Sequence, residues 1–185
     1  MSPIADAVSV SIHSIPPHNF TMEGYSQSDI MAALAAAAQR PKPASTPFSE
    51  LSKDALTTKG SFDGALINTR RLICPREGCG CVILRAKNSS WEECDGDILP
   101  HDSAAPFSPS AHAYWRVDGG PYTFENIGYS RNVDATLPSG APGAGAGKVK
   151  WLICAECDMG PLGWSTEGGD SSWVAVERVR YGQDA

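Results

Sequence analysis

The sequence predicts a small, mainly β domain stapled at one point, standing behind a disordered N-terminal leader. Three observations predict it. Short apolar stretches of strand length begin only after about residue 65. Two close-spaced cysteine pairs, Cys74-Pro-Arg-Glu-Gly-Cys79 and Cys154-Ala-Glu-Cys157, each follow an apolar run, Leu72-Ile73 and Trp151-Leu152-Ile153. Residues 1–65 instead carry Pro3, Pro16, Pro17, Pro41, Pro43 and Pro47 among many serines. Such a composition buries too little apolar area to offset the entropy of ordering it.

Within the leader, residues 28–40 are the exception. Ser28 or Asp29 can cap an alanine-rich helix that Pro41 stops, with Ile30, Met31 and Leu34 as its thin apolar side. The β domain is expected over 66–182. Leu66–Ile73 leads into the first cysteine turn and Cys81-Val82-Ile83-Leu84 leads out, a hairpin closed by the turn. Asn88 to Asp97 reads as a polar turn and Pro100 to Ser110 as loop. His112–Val117 is a strand, Asp118-Gly119-Gly120-Pro121 a tight turn, and Tyr122–Tyr129 the strand partner. Residues 135–147, ATLPSGAPGAGAG, form a flexible insertion with no core to join. Lys148–Ile153 enters the second cysteine turn, with Val149, Trp151 and Ile153 on one face. In the last strand Val174 and Val176 share one face, and Trp173, Ala175, Glu177 and Val179 the other.

The cysteines carry the chemistry. A strand that ends in a cysteine turn offers two thiolates at one place, and two such turns together make a tetrahedral four-sulfur zinc site. One zinc on Cys74, Cys79, Cys154 and Cys157 is structural, because a catalytic zinc keeps a position open. Cys81 competes with Cys79 for the first half-site, but Gly78 and Gly80 flank Cys79 as a turn requires, and Cys81 opens a strand. Cys94 lies among Glu92, Glu93 and Asp95, which disfavour its thiolate. His13, His18, His101 and His112 have no metal-ligand spacing.

Composition excludes several classes. The chain has 185 residues, a net charge of −6 and a pI near 5.1, which argues against nucleic acid and suits a basic protein partner. No apolar run approaches the ~18 residues a transmembrane helix needs. The N-terminus lacks a basic region followed by an apolar one, so a cytoplasmic location is expected, where thiols stay reduced and bind metal.

The motifs ICPREGCGCVIL, YTFENIGYSRNV, WLICAECDMGPLGW and WVAVERV, in that order over about residues 67–181, resemble the Rab-interacting-factor family, the Mss/Dss-type suppressors of exocytic Rab GTPases. The resemblance implies an Mss-like β-tent fold pinned by one structural zinc on Cys74, Cys79, Cys154 and Cys157. It implies a monomer that binds nucleotide-free exocytic Rab GTPases, releases their GDP and acts as a holding chaperone in vesicular transport, in the cytoplasm and transiently at membranes through its partner. The Rab-facing surface it implies comprises Asp118, Tyr122, Phe124, Glu125 and Asn126, together with Glu156. One departure stands out: Gly119-Gly120 occupy a turn where the family carries bulky apolar residues, which implies weakened or retuned Rab binding.

Two rivals come from other classes. Methionine sulfoxide reductase B shares a zinc-pinned β fold, but no cysteine follows Cys157 to serve as its reactive thiol. Alternatively, Trp151, Trp164 and Trp173 form an aromatic cage for a cationic or imide-like small ligand.

Overall fold

The computed structural model describes residues 26–39, 41–61, 64–94, 98–100, 107, 112–145 and 147–183. The chain divides into two units, Met1–Pro41 and Lys42–Ala185. Residues 1–25 of the leader lie outside the described residues. Its helix does not: α1 spans Gln27–Ala38. The cap is Ser26, ahead of the expected Ser28 or Asp29, because Asp29 completes a capping box. The Asp29 N–H donates to Ser26 Oγ at 3.1 Å, and the Ser26 N–H donates to Asp29 Oδ2 at 3.0 Å. Ile30, Met31 and Leu34 are exposed.

The second unit starts at Lys42, not at 66. It opens with strand β1 (Ser45–Pro47), helix α2 (Lys53–Leu56) and strand β2 (Thr57–Lys59). Phe48, Leu51 and Leu56 anchor this stretch, but their spacing follows neither the helical nor the strand period, so no pattern marks them. Strands β3 (Leu66–Asn68), β4 (Leu72–Ile73), β5 (Val82–Leu84), β6 (Ser90–Glu93) and β7 (Ala113–Asp118) follow. Strands β8 (Ile127–Tyr129), β9 (Val149–Cys154), β10 (Gly163–Thr166), β11 (Ser171–Ala175) and β12 (Arg180–Gly182) complete the unit.

The fold is mainly β, in two antiparallel sheets. One has the order β1-β12-β4-β5, the other β2-β3-β6-β7-β11-β10-β9-β8. One apolar cluster joins them: Leu72, Ile83, Leu84 and Tyr181 from the smaller sheet pack with Trp115, Val117, Leu152 and Val174 from the larger. A buried hydrogen-bond chain crosses the same gap. Trp115 Nε1 donates to the Tyr181 hydroxyl at 2.9 Å, and that hydroxyl donates to the Val176 carbonyl at 2.8 Å. A second cluster includes Tyr114, Val149, Trp164, Trp173, Ala175 and Ala141. Strand alternation accounts for the split, since Tyr114 and Trp115, like Trp173 and Val174, point to opposite faces.

Five expectations change. Leu66–Ile73 is not one strand: β3 and β4 belong to different sheets, and the corner between them is held by the Asn68 amide donating to the carbonyls of Arg70 and Arg85, both at 2.9 Å. Ser90–Glu93 is a strand rather than a turn, because Trp91 packs edge-on against Trp115 with ring centroids 5.1 Å apart. Tyr122–Tyr129 is not the partner of β7. Gly119 and Gly120 take φ of 92° and 74°, Pro121–Thr123 forms a 3-10 turn, and β8 pairs with β9. The 135–147 insertion does join a core: Ala141 is buried, and Trp164 Nε1 donates to the Pro142 carbonyl at 3.2 Å. Val179 sits with Val174 and Val176, because the 3-10 turn Val176–Arg178 interrupts the alternation.

Candidate metal centre and adjoining surface

Cys74 directly follows β4 in the smaller sheet, and Cys154 ends β9 in the larger. The first turn is shaped by Cys79 N–H to the Arg76 carbonyl at 3.1 Å and by Cys74 N–H to the Cys81 carbonyl at 2.8 Å, with Gly78 and Gly80 at φ 80° and 65°. In the second turn Cys154 N–H donates to the Met159 carbonyl and Asp158 N–H to the Cys154 carbonyl, both at 2.9 Å. Gly160 is required beyond it, since a Cβ there would lie 2.6 Å from Ile153 Cγ2 and 2.9 Å from the Leu152 carbonyl. Arg76 Nη1 donates to the Cys157 carbonyl at 2.8 Å and braces one turn against the other.

The four sulfurs converge, all within 4.8 Å of one another. Cys74 Sγ lies 3.5 Å from Cys157 Sγ, and Cys79 Sγ lies 3.9 Å from Cys154 Sγ. A tetrahedral zinc with ~2.3 Å bonds to sulfur requires sulfurs ~3.8 Å apart. The donor set therefore fits: the four cysteines could hold a metal ion, closed on all sides by sulfur. Burial raises the Cys74 and Cys154 thiols above their ordinary range. Burial also pushes at Cys157, but the Met159 backbone N–H and the neighbouring thiols bring it below its ordinary value overall. Cys81 is outside the set: burial, then Cys154 and Cys79, push its thiol up to about 12. Cys94 donates to the Gly140 carbonyl at 3.4 Å. His112 is exposed, while His13, His18 and His101 lie outside the described residues.

The expected partner residues separate into two places. Beside the centre, Asn126 Nδ2 donates to the Val82 carbonyl at 3.1 Å, and the Asn126 carbonyl accepts from Ala155 N–H at 3.4 Å. Asn126 thus bridges β5, which follows the first cysteine turn, to the second cysteine turn; the Glu125 N–H donates to the Ile83 carbonyl at 3.0 Å, and exposed Glu156 follows Ala155. Asp118 ends β7 and Tyr122 lies on the 3-10 turn that follows, where it is 97% exposed. Phe124 lies in the core: it is 8% exposed and packs in the inter-sheet cluster. Two carboxylates are paired internally. Glu125 takes both arms of Arg85, at 2.7 and 3.1 Å, and Asp118 takes Arg116 Nε at 3.0 Å. The sequence reading missed both arginines. Arg116 was within reach of it, since it lies two residues before Asp118 and so on the same face of β7. Glu156 has no ion-pair or hydrogen-bonding side-chain partner among the described residues.

The three tryptophans do not line an open cage. Trp164 and Trp173 are buried and stacked at 5.6 Å, and Trp164 also meets Tyr114 edge-on at 4.7 Å. Trp151 is partly buried against the same cluster.

Comparison with known proteins matches the sequence of this domain to a family. A family model described as "Mss4 protein" matches residues 67–181, well over half of the chain. The chain belongs to the Mss4 family. One relative is the "Guanine nucleotide exchange factor MSS4 homolog" of Drosophila melanogaster, 30% identical over 107 residues that cover 55% of this chain and 76% of the fly protein. The Mss4 match begins after β1, α2 and β2 and takes in all four cysteines of the cluster. Among the described residues no helix is long and apolar enough to cross a membrane.

Proposed function

We propose that this Mss4-family chain is a guanine-nucleotide-releasing factor and holding chaperone for Rab-family GTPases of the exocytic pathway, with one structural zinc on Cys74, Cys79, Cys154 and Cys157. The observation that carries the reading is the four-cysteine cluster. Through Asn126 and Ala155 it fixes Glu125, Asn126 and Glu156 together on one surface, in a chain whose fly relative is named an exchange factor. Zinc supplies no reaction step here; bound, it cross-links the two sheets and holds the turns.

Exchange by this route breaks no bond in the protein. It requires tighter binding to the empty GTPase than to the nucleotide-loaded one. By linkage, the factor weakens nucleotide by the ratio by which nucleotide weakens the factor. A hundredfold ratio corresponds to ~2.8 kcal/mol of differential contact. Glu156, unpaired and exposed, suits a lysine or arginine uncovered when nucleotide leaves. Tyr122, on the separate turn, suits an apolar hollow of the partner, and aromatic anchors of this kind dominate interfaces. The protein acts as a monomer in the cytoplasm and reaches membranes through its partner.

The test is release of a fluorescent GDP analogue from a panel of exocytic Rabs, with pull-downs of nucleotide-depleted and loaded forms. Accelerated release and a preference for the depleted form are expected. Glu156→Lys should weaken that complex roughly tenfold or more while leaving the melting temperature in place. No acceleration and no preference across the panel overturns the reading.

A further inference from the structure

The Asp118 carboxylate, expected to reach a partner, serves an arginine of its own chain. Asp118 Oδ1 accepts from Arg116 Nε and from the Ser171 hydroxyl, which stands opposite it on β11. Arg116 itself faces Ser90 on β6 and Trp173 on β11, so it rises from the middle of a three-strand surface. Its Nε is held, and neither of its Nη groups has a partner among the described residues. What the surface presents at this point is a guanidinium gripped by one edge, with its other donors turned outward.

Those donors border a hollow of about 380 Å³. Ile67, Lys87, Asn88, Ser90 and Thr123 line it together with Arg116. The Thr123 hydroxyl donates to the Asp118 carbonyl at 2.9 Å, which joins the hollow to the turn carrying the exposed Tyr122. Lys87 and Arg116 against Asp118 leave the hollow net positive on a chain whose net charge is −6. A planar fork with free donors, a second cation and flanking hydroxyl and amide groups match a carboxylate.

We propose that this hollow receives an Asp or Glu side chain of the bound GTPase, held by Arg116 with Lys87 beside it, and that Asp118 is a positioning residue for Arg116 rather than a partner contact. The inference rests on the exchange-factor reading. It adds a cationic contact distinct from the acidic Glu156 on the second cysteine turn, so the partner meets both signs of charge. Strand-borne side chains with restrained rotamers hold such a geometry more closely than loop residues do.

The experiment titrates full-length wild type, R116E, R116Q, R116K, K87E and D118N against the nucleotide-depleted Rabs at several salt concentrations, with a melting curve for each. R116E is expected to weaken binding roughly tenfold or more and to flatten its salt dependence, with R116Q and K87E following at several-fold. R116K, which keeps the charge without the fork, should fall between wild type and R116Q. D118N should weaken binding less than R116Q does while keeping the salt dependence of wild type. Wild-type affinity in both R116E and R116Q overturns the hollow as a contact while leaving the exchange-factor reading in place. A D118N loss equal to that of R116E, with R116Q unaffected, makes Asp118 the contact and overturns the positioning role. Failure of wild type to bind any emptied Rab overturns both, and so marks the failure of the parent reading.

Discussion

Deleting residues 1–65 leaves the whole Mss4-matched stretch in place and yet is expected to destabilise the domain strongly. The deleted stretch includes Leu56, whose side chain is fully buried in the cluster between the sheets. It also includes the partly buried Phe48 and Leu51, and strand β1, which pairs Ser45, Thr46 and Pro47 with Gly182, Tyr181 and Arg180. Leu56 alone sets a lower bound. Truncating a buried leucine to alanine costs about 2–5 kcal/mol, set by how far the neighbours collapse into the space. In a domain of this size each kcal/mol moves the melting temperature by about 2–4 °C. A central cost of about 3 kcal/mol therefore lowers it by roughly 6–12 °C for Leu56→Ala. Removing all of 1–65 should cost more, because β12 also loses its edge partner. The assay is a thermal melt followed by circular dichroism on four chains: full length, 42–185, 66–185 and Leu56→Ala. Full length and 42–185 should melt together, and the other two should melt lower. If 66–185 melts within about 2 °C of full length, the first strand and helix are decoration, and the reasoning is wrong.

Three further outcomes are expected. Native mass spectrometry should find one zinc per chain, and a strong chelator, or Cys154→Ser, should abolish the cooperative melt, since structural zinc contributes on the order of 10 kcal/mol in small domains; an unchanged melt after verified metal removal would contradict this. Tyr181→Phe should cost about 1–3 kcal/mol by stranding Trp115 Nε1 and the Val176 carbonyl, read from urea titration. Burial also holds the Tyr181 phenol above its ordinary 10.0, so the folded state keeps a proton that the unfolded chain releases there. The stabilisation is complete below pH 10 and is lost as pH rises through the folded value. Stability of wild type should therefore decline above pH 10 more steeply than that of Tyr181→Phe.

Much of the four-cysteine cluster was legible because it is built from local spacing. Cys154-Ala-Glu-Cys157 lies in a single turn, as does Cys74 to Cys79, so short-range geometry selects the sulfurs and excludes Cys81 and Cys94. Strands β7, β9 and β11 were legible for the same reason: their side chains alternate along a run long enough to read. Helix α1 was found, but its cap was misplaced by two or three residues, because the choice among Ser26, Ser28 and Asp29 depends on which pair closes the reciprocal bond.

The sequence by itself determined the number and kind of sulfur donors, the mainly β class and the family motifs. Only the tertiary structure decided that β8 joins β9, that residues 42–61 supply an edge strand and a core leucine, that Ala141 is covered, and that Phe124 points inward. It alone decided that Asp118 and Glu125 answer arginines of the same chain, one two residues away and one forty. The reason is physical. Turn geometry is set by neighbours in the chain, whereas strand pairing, burial and charge partnership are set by which remote segments collapse onto one another, and no local period records that choice.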